Sequence, residues 1–141
     1  AGSTFDYAVG LITPKAASKA LSTFVRESFD LDSNAYIATA GASRHRSPLG
    51  LSCVGDVVLI RLDGGSLGAA KVLGHFGYNN CNTTLIQYFD YHSCDRDNGT
   101  AFFTITDEVL FIEPEDIVDP VIWDEYSNDR IRCLLPIGVD I

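Results

Sequence analysis

Between Val54 and Leu135 the sequence consists of short β-branched and aromatic segments separated by tight turns, and this succession restricts the possible folds most strongly. The first segment, Val57–Leu62, runs directly into Asp63-Gly64-Gly65, a strong turn pattern. Further strands are predicted at Ala69–Phe76, Thr84–Phe89, Ala101–Ile105, Val109–Ile112 and Ile131–Leu135, with turns at Asn79–Asn82 and Asp95–Gly99. Such short connections join antiparallel strands, because parallel strands need crossovers of a dozen or more residues. We therefore expect a mainly β (α+β) fold built on a small antiparallel β-barrel.

One stretch in the first third of the chain favours a helix. Thr13 can cap its start, Pro14 suits its first turn, and the pattern should end near Phe29. The apolar residues that would share one helix face are Ala17, Leu21, Phe24 and Val25. We expect a single N-terminal helix over residues 13–29, and its last three face residues should dock it against one end of the barrel.

The chain of 141 residues has about the length of one domain, and its 46% of apolar residues can fill one core. We expect a single domain over residues 1–141, in which residues 13–29 lead into a barrel at residues 54–135. A short strand at Ala35–Thr39 and an exposed basic loop at Gly41–Gly50 should lie between them. No apolar run approaches the roughly 20 residues that cross a bilayer, so we expect no membrane partner.

The negative charge is concentrated in one segment. The chain has 19 acidic and 10 basic residues, but residues 107–129 contain nine acids and no Lys or Arg. The acids are Asp107, Glu108, Glu113, Glu115, Asp116, Asp119, Asp124, Glu125 and Asp129. Such a surface favours basic partners and repels phosphate backbones, although charge runs also serve as solvated rims. We expect weak or no nucleic-acid binding, since the basic loop offers only Arg44, His45 and Arg46.

Four cysteines, Cys53, Cys81, Cys94 and Cys133, are widely spaced and form no C-x-x-C pair. This spacing favours reduced thiols and an intracellular protein. Asn82 and Asn98 each begin a triplet that matches the N-glycosylation pattern. The alternative is therefore a secreted or virion-surface binding protein with two disulfides and N-glycans.

Five sequence blocks resemble the bromo-adjacent homology (BAH) family. The blocks are Val54–Ile60, Gly68–Phe76, Leu85–Tyr91, Asp107–Ile117 and Ile131–Leu135. They are similar to the family's entering Gly-Asp strand, its second strand, its aromatic strand, its acidic turn and its closing Cys-containing strand. Gln87 and Asp90 stand where the family tends to have Trp and Arg, and residues 1–53 have no counterpart. The resemblance implies a BAH-like barrel that serves as a non-catalytic protein-interaction module in a chromatin or mobile-element protein, with a nuclear location.

Aromatic residues beside carboxylates make the candidate peptide-binding site. The residues are Tyr88, Tyr91, Trp123, Asp124, Glu125, Tyr126 and Asp129. Aromatic faces next to acids suit an ammonium ion, because the ring quadrupole attracts the cation and the carboxylate adds charge. These rings can equally belong to the barrel core. The predicted ligand is a basic peptide such as a histone tail.

The sequence carries no motif for catalysis or metal binding. It has no G-x-S-x-G elbow, no H-E-x-x-H pair and no phosphate loop. His75, Cys81, His92 and Cys94 form the one metal-like group, but the single residue between His92 and Cys94 is atypical of structural zinc. We expect no enzyme activity, no cofactor and no metal.

Overall fold

The described residues of a computed structural model, 13–44, 51–139 and 141, form eleven strands and one α-helix. The helix, α1, spans Lys19–Ser28. The strands are β1 (Lys15–Ala16), β2 (Ala38–Ala40), β3 (Ala42–Arg44), β4 (Leu51–Cys53), β5 (Val57–Arg61), β6 (Leu67–Tyr78), β7 (Cys81–Asp95), β8 (Thr100–Ile112), β9 (Ile117–Pro120), β10 (Ile122–Ser127) and β11 (Arg130–Leu134). Single 3₁₀ turns lie at Asp63–Gly65 and Pro114–Asp116.

Nine strands form one sheet, in which every pairing is antiparallel. The main path runs β1-β2-β6-β7-β8-β11-β10, while β5 pairs with the first half of β6 and with β9. Strands β3 and β4 form a separate hairpin. The predicted mainly β antiparallel fold with one helix is confirmed.

The sheet curls around a main core that joins strands far apart in its order. This core consists of Val57, Leu59, Ala69, Phe89, Ala101, Phe103, Val118, Ile131 and Cys133. It brings Leu59 of β5 together with Ile131 of β11, although three strands lie between them in the sheet. Register shifts at Leu73, Tyr88 and His92 accompany the curl, as expected where extra residues increase local twist.

The strands described here curl without closing into a barrel. β9 pairs with β5, and the Val121 N–H still donates to the Val57 carbonyl at 2.9 Å. Beyond this bond the segment that follows β9 diverges from the segment that precedes β5. The segment before β5 stays with β6, because the Gly55 N–H donates to the Val72 carbonyl and the Val72 N–H to the Asp56 carbonyl. Among the described strands β10 therefore pairs with β11 alone.

The helix is shorter than the sequence predicts. It begins after Ser18, whose Oγ accepts the Leu21 N–H at 3.3 Å, and not after Thr13. Residues 15–16 are extended instead, since Lys15 pairs with Thr39 and the Ala17 N–H donates to the Ile37 carbonyl. Pairing with β2 thus wins over helix formation at Pro14.

The docking of α1 was also only partly predicted. Val25 is fully buried, and Phe24 stacks on Phe111 of β8 with ring centroids 5.6 Å apart. Leu21 remains 40% exposed and belongs to no core cluster. Phe29, which was predicted only as the helix end, instead contacts the rings of Tyr78 and Phe111.

Two predicted strands, Ala101–Ile105 and Val109–Ile112, are parts of the single strand β8. Its pairing with β7 slips over residues 106–108, which is where the sequence predicts a break. The Thr106 hydroxyl stabilises this slip, since it donates to the Tyr88 carbonyl and accepts the Glu108 N–H. The other predicted strands and turns lie close to their expected positions, and the Asn79–Asn80 turn has positive φ at both residues, as a tight hairpin requires.

Three further expectations need correction. Between Ile112 and Ile131 the sequence predicts an acidic turn and no strand, whereas the structure has strands β9 and β10 there. Residues 42–44 of the expected basic loop form β3, while His45 and Arg46 lie outside the described residues. The short strand expected at Ala35–Thr39 begins instead at Ala38.

Gly74 gives a test of the sheet bend. A Cβ at this position would lie 2.9 Å from two ring atoms of the buried Phe76. We expect Gly74→Ala to lower the free energy of unfolding by about 1–3 kcal/mol, because the ring would have to leave its packed position. Urea unfolding measures the change. Gly41→Ala is the matched control, because a Cβ there meets nothing within 4 Å. Equal stabilities of the two variants would contradict this account of the bend.

Candidate functional site

The acidic segment lies at the surface. Eight of its nine carboxylates belong to exposed residues, and the ninth, Asp116, is half-buried. Among the described residues, the structure pairs only Asp124 of this group with a cation. The other eight carboxylates of the predicted acidic surface therefore form no ion pair with a described residue.

Asp124 and Arg132 form a two-point contact between β10 and β11. They are register partners, and both guanidinium nitrogens Nε and Nη2 donate to the carboxylate, the first at 3.0 Å. Hydrogen bonding from Arg132 holds the pKa of Asp124 below its ordinary value, and the same contact raises the pKa of Arg132. Asp124 is thus kept ionised and fixed in position.

The outer face of β8, β11 and β10 carries apolar residues around this ion pair. Ile122 is 75% exposed, Leu134 is 47% exposed, and Tyr126 lies edge-on to Phe102 with centroids 5.2 Å apart. A shallow depression of about 330 Å³ opens here, and it is lined by Thr100, Ile122, Trp123, Asp124, Arg132 and Leu134. We call strand β10, this depression on its outer face and the turn to β11 the β10 surface.

Trp123 points to the other side of β10. Its side chain is half-buried and packs against the main core, in register with the buried Cys133. The ammonium nitrogen of Lys71 lies 5.8 Å from its ring centroid. This cation–π contact occupies one ring face with a cation of the chain itself.

The predicted aromatic residues are not brought together. Tyr88 packs against the second core, which consists of Val58, Ile60, Ala70, Val72, Ile86 and Ile117. Tyr91 lies edge-on to Phe103 at 5.9 Å, on the side of the main core, whereas Tyr126 lies on the outer face. The rings therefore occupy separate surroundings, and no shared cage is formed by the four.

The predicted acids do share one region. Asp124 and Glu125 are adjacent in β10, and Asp129 follows in the turn to β11. The backbone carbonyl of Asp129 accepts the Ile105 N–H at 2.7 Å, which fixes this turn against β8. Sequence reasoning missed Ile122, Arg132 and Leu134, although the alternation Ile122-x-Asp124 could have indicated an exposed strand.

The metal-like group is dispersed. His75 is fully buried, where Nε2 contacts the Ser52 carbonyl at 2.8 Å and Nδ1 the Thr84 hydroxyl at 2.9 Å. The carbonyl can only accept, so Nε2 carries a proton and Nδ1 is free to accept from Thr84. Cys81 and Cys94 lie at opposite ends of β7, and His92 is exposed beside Ser93. In the part of the chain that the structure describes, no three potential ligands come together.

All four cysteines are free. Cys53 and Cys81 are exposed, Cys94 is half-buried, and Cys133 is buried in the main core. Burial, assisted by the negative charge of Asp124, raises the pKa of Cys133 to about 12. Partial desolvation and the neighbouring Asp56 raise the pKa of Cys53 above its ordinary value.

No protein-family model matches this chain, and no curated protein matches it. Among the described residues no helix is long and apolar enough to cross a membrane.

Thiol labelling tests the described environment of the cysteines. We expect Cys53 and Cys81 to react with an aromatic disulfide reagent in the folded protein, and Cys133 to react only after unfolding, because the thiolate is the reactive form. The reaction of Cys53 should increase with pH through a midpoint above that of an ordinary thiol. Mass spectrometry of peptide fragments assigns the sites. Cysteines that stay unlabelled in unreduced, unfolded protein would favour the secreted, disulfide-bonded alternative.

Replacement of Trp123 tests its role in the core. We expect Trp123→Ala to cost about 3 kcal/mol of unfolding free energy, at the lower end for a large aromatic, because the side chain is only half-buried. Tyr126→Ala is the control on the same strand, and we expect it to cost less since its ring packs on the exposed outer face. Thermal and urea unfolding compare the two. A smaller loss for Trp123→Ala than for Tyr126→Ala would reverse this assignment.

Proposed function

We propose that this chain is a non-catalytic protein-interaction module that binds a basic peptide, such as a histone tail, through the β10 surface. The observation that carries the proposal is an exposed strand on which adjacent acids, Asp124 and Glu125, lie beside the apolar residues Ile122 and Tyr126. Acidic side chains attract and orient a cationic ligand, and exposed apolar neighbours supply contact area.

The proposed architecture is BAH-like. The five sequence blocks that resemble the family support this, together with the antiparallel succession of β5, β6, β7 and β8 and the return of β11 beside β8. On this proposal the protein works inside the cell, in a chromatin or mobile-element protein, and uses no cofactor. The net charge of −9 favours a basic protein partner over a nucleic acid.

The site within the proposal is narrower than the set of residues predicted from sequence. Asp124, Glu125, Tyr126 and Asp129 keep their proposed role, and Ile122 and Leu134 join them. Trp123 is assigned to support β10 from the core side, because it packs against the main core under Lys71. Tyr88 packs against the second core, and the half-exposed Tyr91 packs on Phe103 on the other side of the sheet from Tyr126, so neither is assigned to the peptide.

Charge reversal tests this function. We expect the double variant Glu125→Lys/Asp129→Lys to bind a Lys-rich peptide at least about tenfold more weakly at low salt, a change of about 1.4 kcal/mol. The same binding should weaken steeply as salt is raised, because exposed charges are screened over about 10 Å at 0.1 M. Fluorescence anisotropy measures the affinity. The melting temperature should change little, since exposed substitutions usually alter stability by less than about 0.5 kcal/mol.

The matched control is Asp32→Lys/Asp63→Lys, which makes the same change of net charge at exposed positions outside the acidic segment. A local site predicts a much smaller loss for this control than for the β10 variant. Equal losses would show that only the net charge matters. Binding of duplex DNA as tight as that of the peptide would contradict the proposed partner class.

A further inference from the structure

Strand β10 is the exposed end of the main sheet path. The opposite end, β1, is only two residues long and carries Lys15, both of which protect an edge from pairing. β10 has six residues, all exposed except the half-buried Trp123. Within the described residues its outer edge has no strand partner, so alternate backbone N–H and C=O groups there are open to a ligand.

The free edge results from the divergence at Val121. Up to this residue the β9 chain is bonded to β5, and the last bond is from the Val121 N–H to the Val57 carbonyl. Gly55, with φ +94°, then keeps the preceding segment on β6. β10 is held on its inner side by β11 and by the Asp124–Arg132 contact, which makes it a preformed template.

The charges along β10 specify what an added strand must carry. Successive side chains point to opposite faces, so Asp124 lies on the outer face and Glu125 on the face of Trp123. An added strand would therefore meet one carboxylate on each face. Opposite charges directly across a strand pair stabilise it, and like charges destabilise it. Two adjacent basic residues fit these positions, and a β-branched residue fits beside Ile122.

We propose that an extended peptide binds to β10 as an additional strand, with two adjacent basic residues opposite Asp124 and Glu125. This inference rests on the proposed function and adds to it the binding mode and the ligand sequence class. Main-chain hydrogen bonds to the β10 edge supply affinity, and the two faces of the peptide supply specificity.

A second copy of the chain fits this edge poorly. Antiparallel pairing of two β10 strands sets residues of the same face opposite each other, so a pairing centred on Asp124 or on Glu125 would place that carboxylate opposite its own copy. The second half of β8, residues 106–112, also has an open side, but there the Thr106 carbonyl accepts the Gln87 amide and the Glu108 N–H donates to the Thr106 hydroxyl. Both groups are thereby occupied, so the remaining edge at residues 109–112 is shorter than the six residues of β10, which is the better template.

The experiment uses the peptide acetyl-Thr-Val-Thr-Lys-Lys-Thr-Val-Thr-amide, whose palindromic sequence presents the same residues in either strand direction. Binding to the full chain is followed by NMR titration and amide hydrogen exchange. Two further peptides carry N-methyl groups on the odd or on the even residues. Because only every second N–H faces a given neighbour, we expect one methylated peptide to lose at least tenfold in affinity and the other to change no more than about threefold. Amides in Ile122–Ser127 should become protected on binding.

The outcomes separate the two proposals. Salt-sensitive binding that is weakened by Glu125→Lys/Asp129→Lys, but affected equally by both methylation patterns, would overturn strand addition and leave the function standing. Protection at residues 106–112 instead of β10 would overturn the location. If the unmodified peptide does not bind, or binds no more tightly than a peptide with Glu in place of Lys, the proposed function is overturned. Concentration-dependent self-association that protects β10 would assign the edge to a second copy.

Discussion

Contact between β5 and β11 across the main core is the constraint on which the structure depends. Leu59 and Ile131 are fully buried in one cluster although β6, β7 and β8 lie between their strands. A flat sheet would hold strands so separated roughly 19 Å apart, at about 4.8 Å for each step. Hydrophobic burial therefore requires the sheet to curl, and at Gly74, beside one of the register shifts, the Phe76 ring packs where a Cβ would stand. The same curl brings β9 to β5 and leaves β10 at the rim.

The sequence predicts the interior strands well because burial dictates their composition. β5 is a run of apolar, mostly β-branched residues, with Val57 to Ile60 all buried, and the Asn79–Asn80 turn sets the register of β6 and β7 up to the shift at Leu73. β9 and β10 were missed for the opposite reason. Asp and Glu have low strand propensity, and a solvent-exposed edge strand does not need the apolar residues by which an interior strand is recognised. The helix start was misplaced because Thr13 and Ser18 are both cap residues, and pairing of Lys15 with β2 favours the second.

The candidate site shows the same division. Its acids were predictable, because a concentrated charge must lie at the surface. The neighbours of its aromatic residues were not, because they depend on packing between strands that are distant in the sequence. The faces in β7 follow strand alternation, since Tyr88 packs on the second core while Phe89 lies in the main core and Tyr91 packs on Phe103. Neither register shift in β7 brings Tyr88 and Tyr91 to one face.

The acids of β10 both oppose self-association of the chain and attract a basic ligand. An open edge with exposed Ile122 and Tyr126 is a place where copies of a chain can associate, and charge on such an edge opposes this. On the outer face, the neighbouring Arg132 neutralises Asp124. The unpaired negative charge of the strand is therefore that of Glu125 on the opposite face. If Arg132 paired with Glu125 as well, the edge would be neutral and open to self-pairing. Because it does not, the Glu125 charge that keeps copies apart is also the charge that a basic strand would meet, and self-avoidance and recognition depend on the same carboxylate.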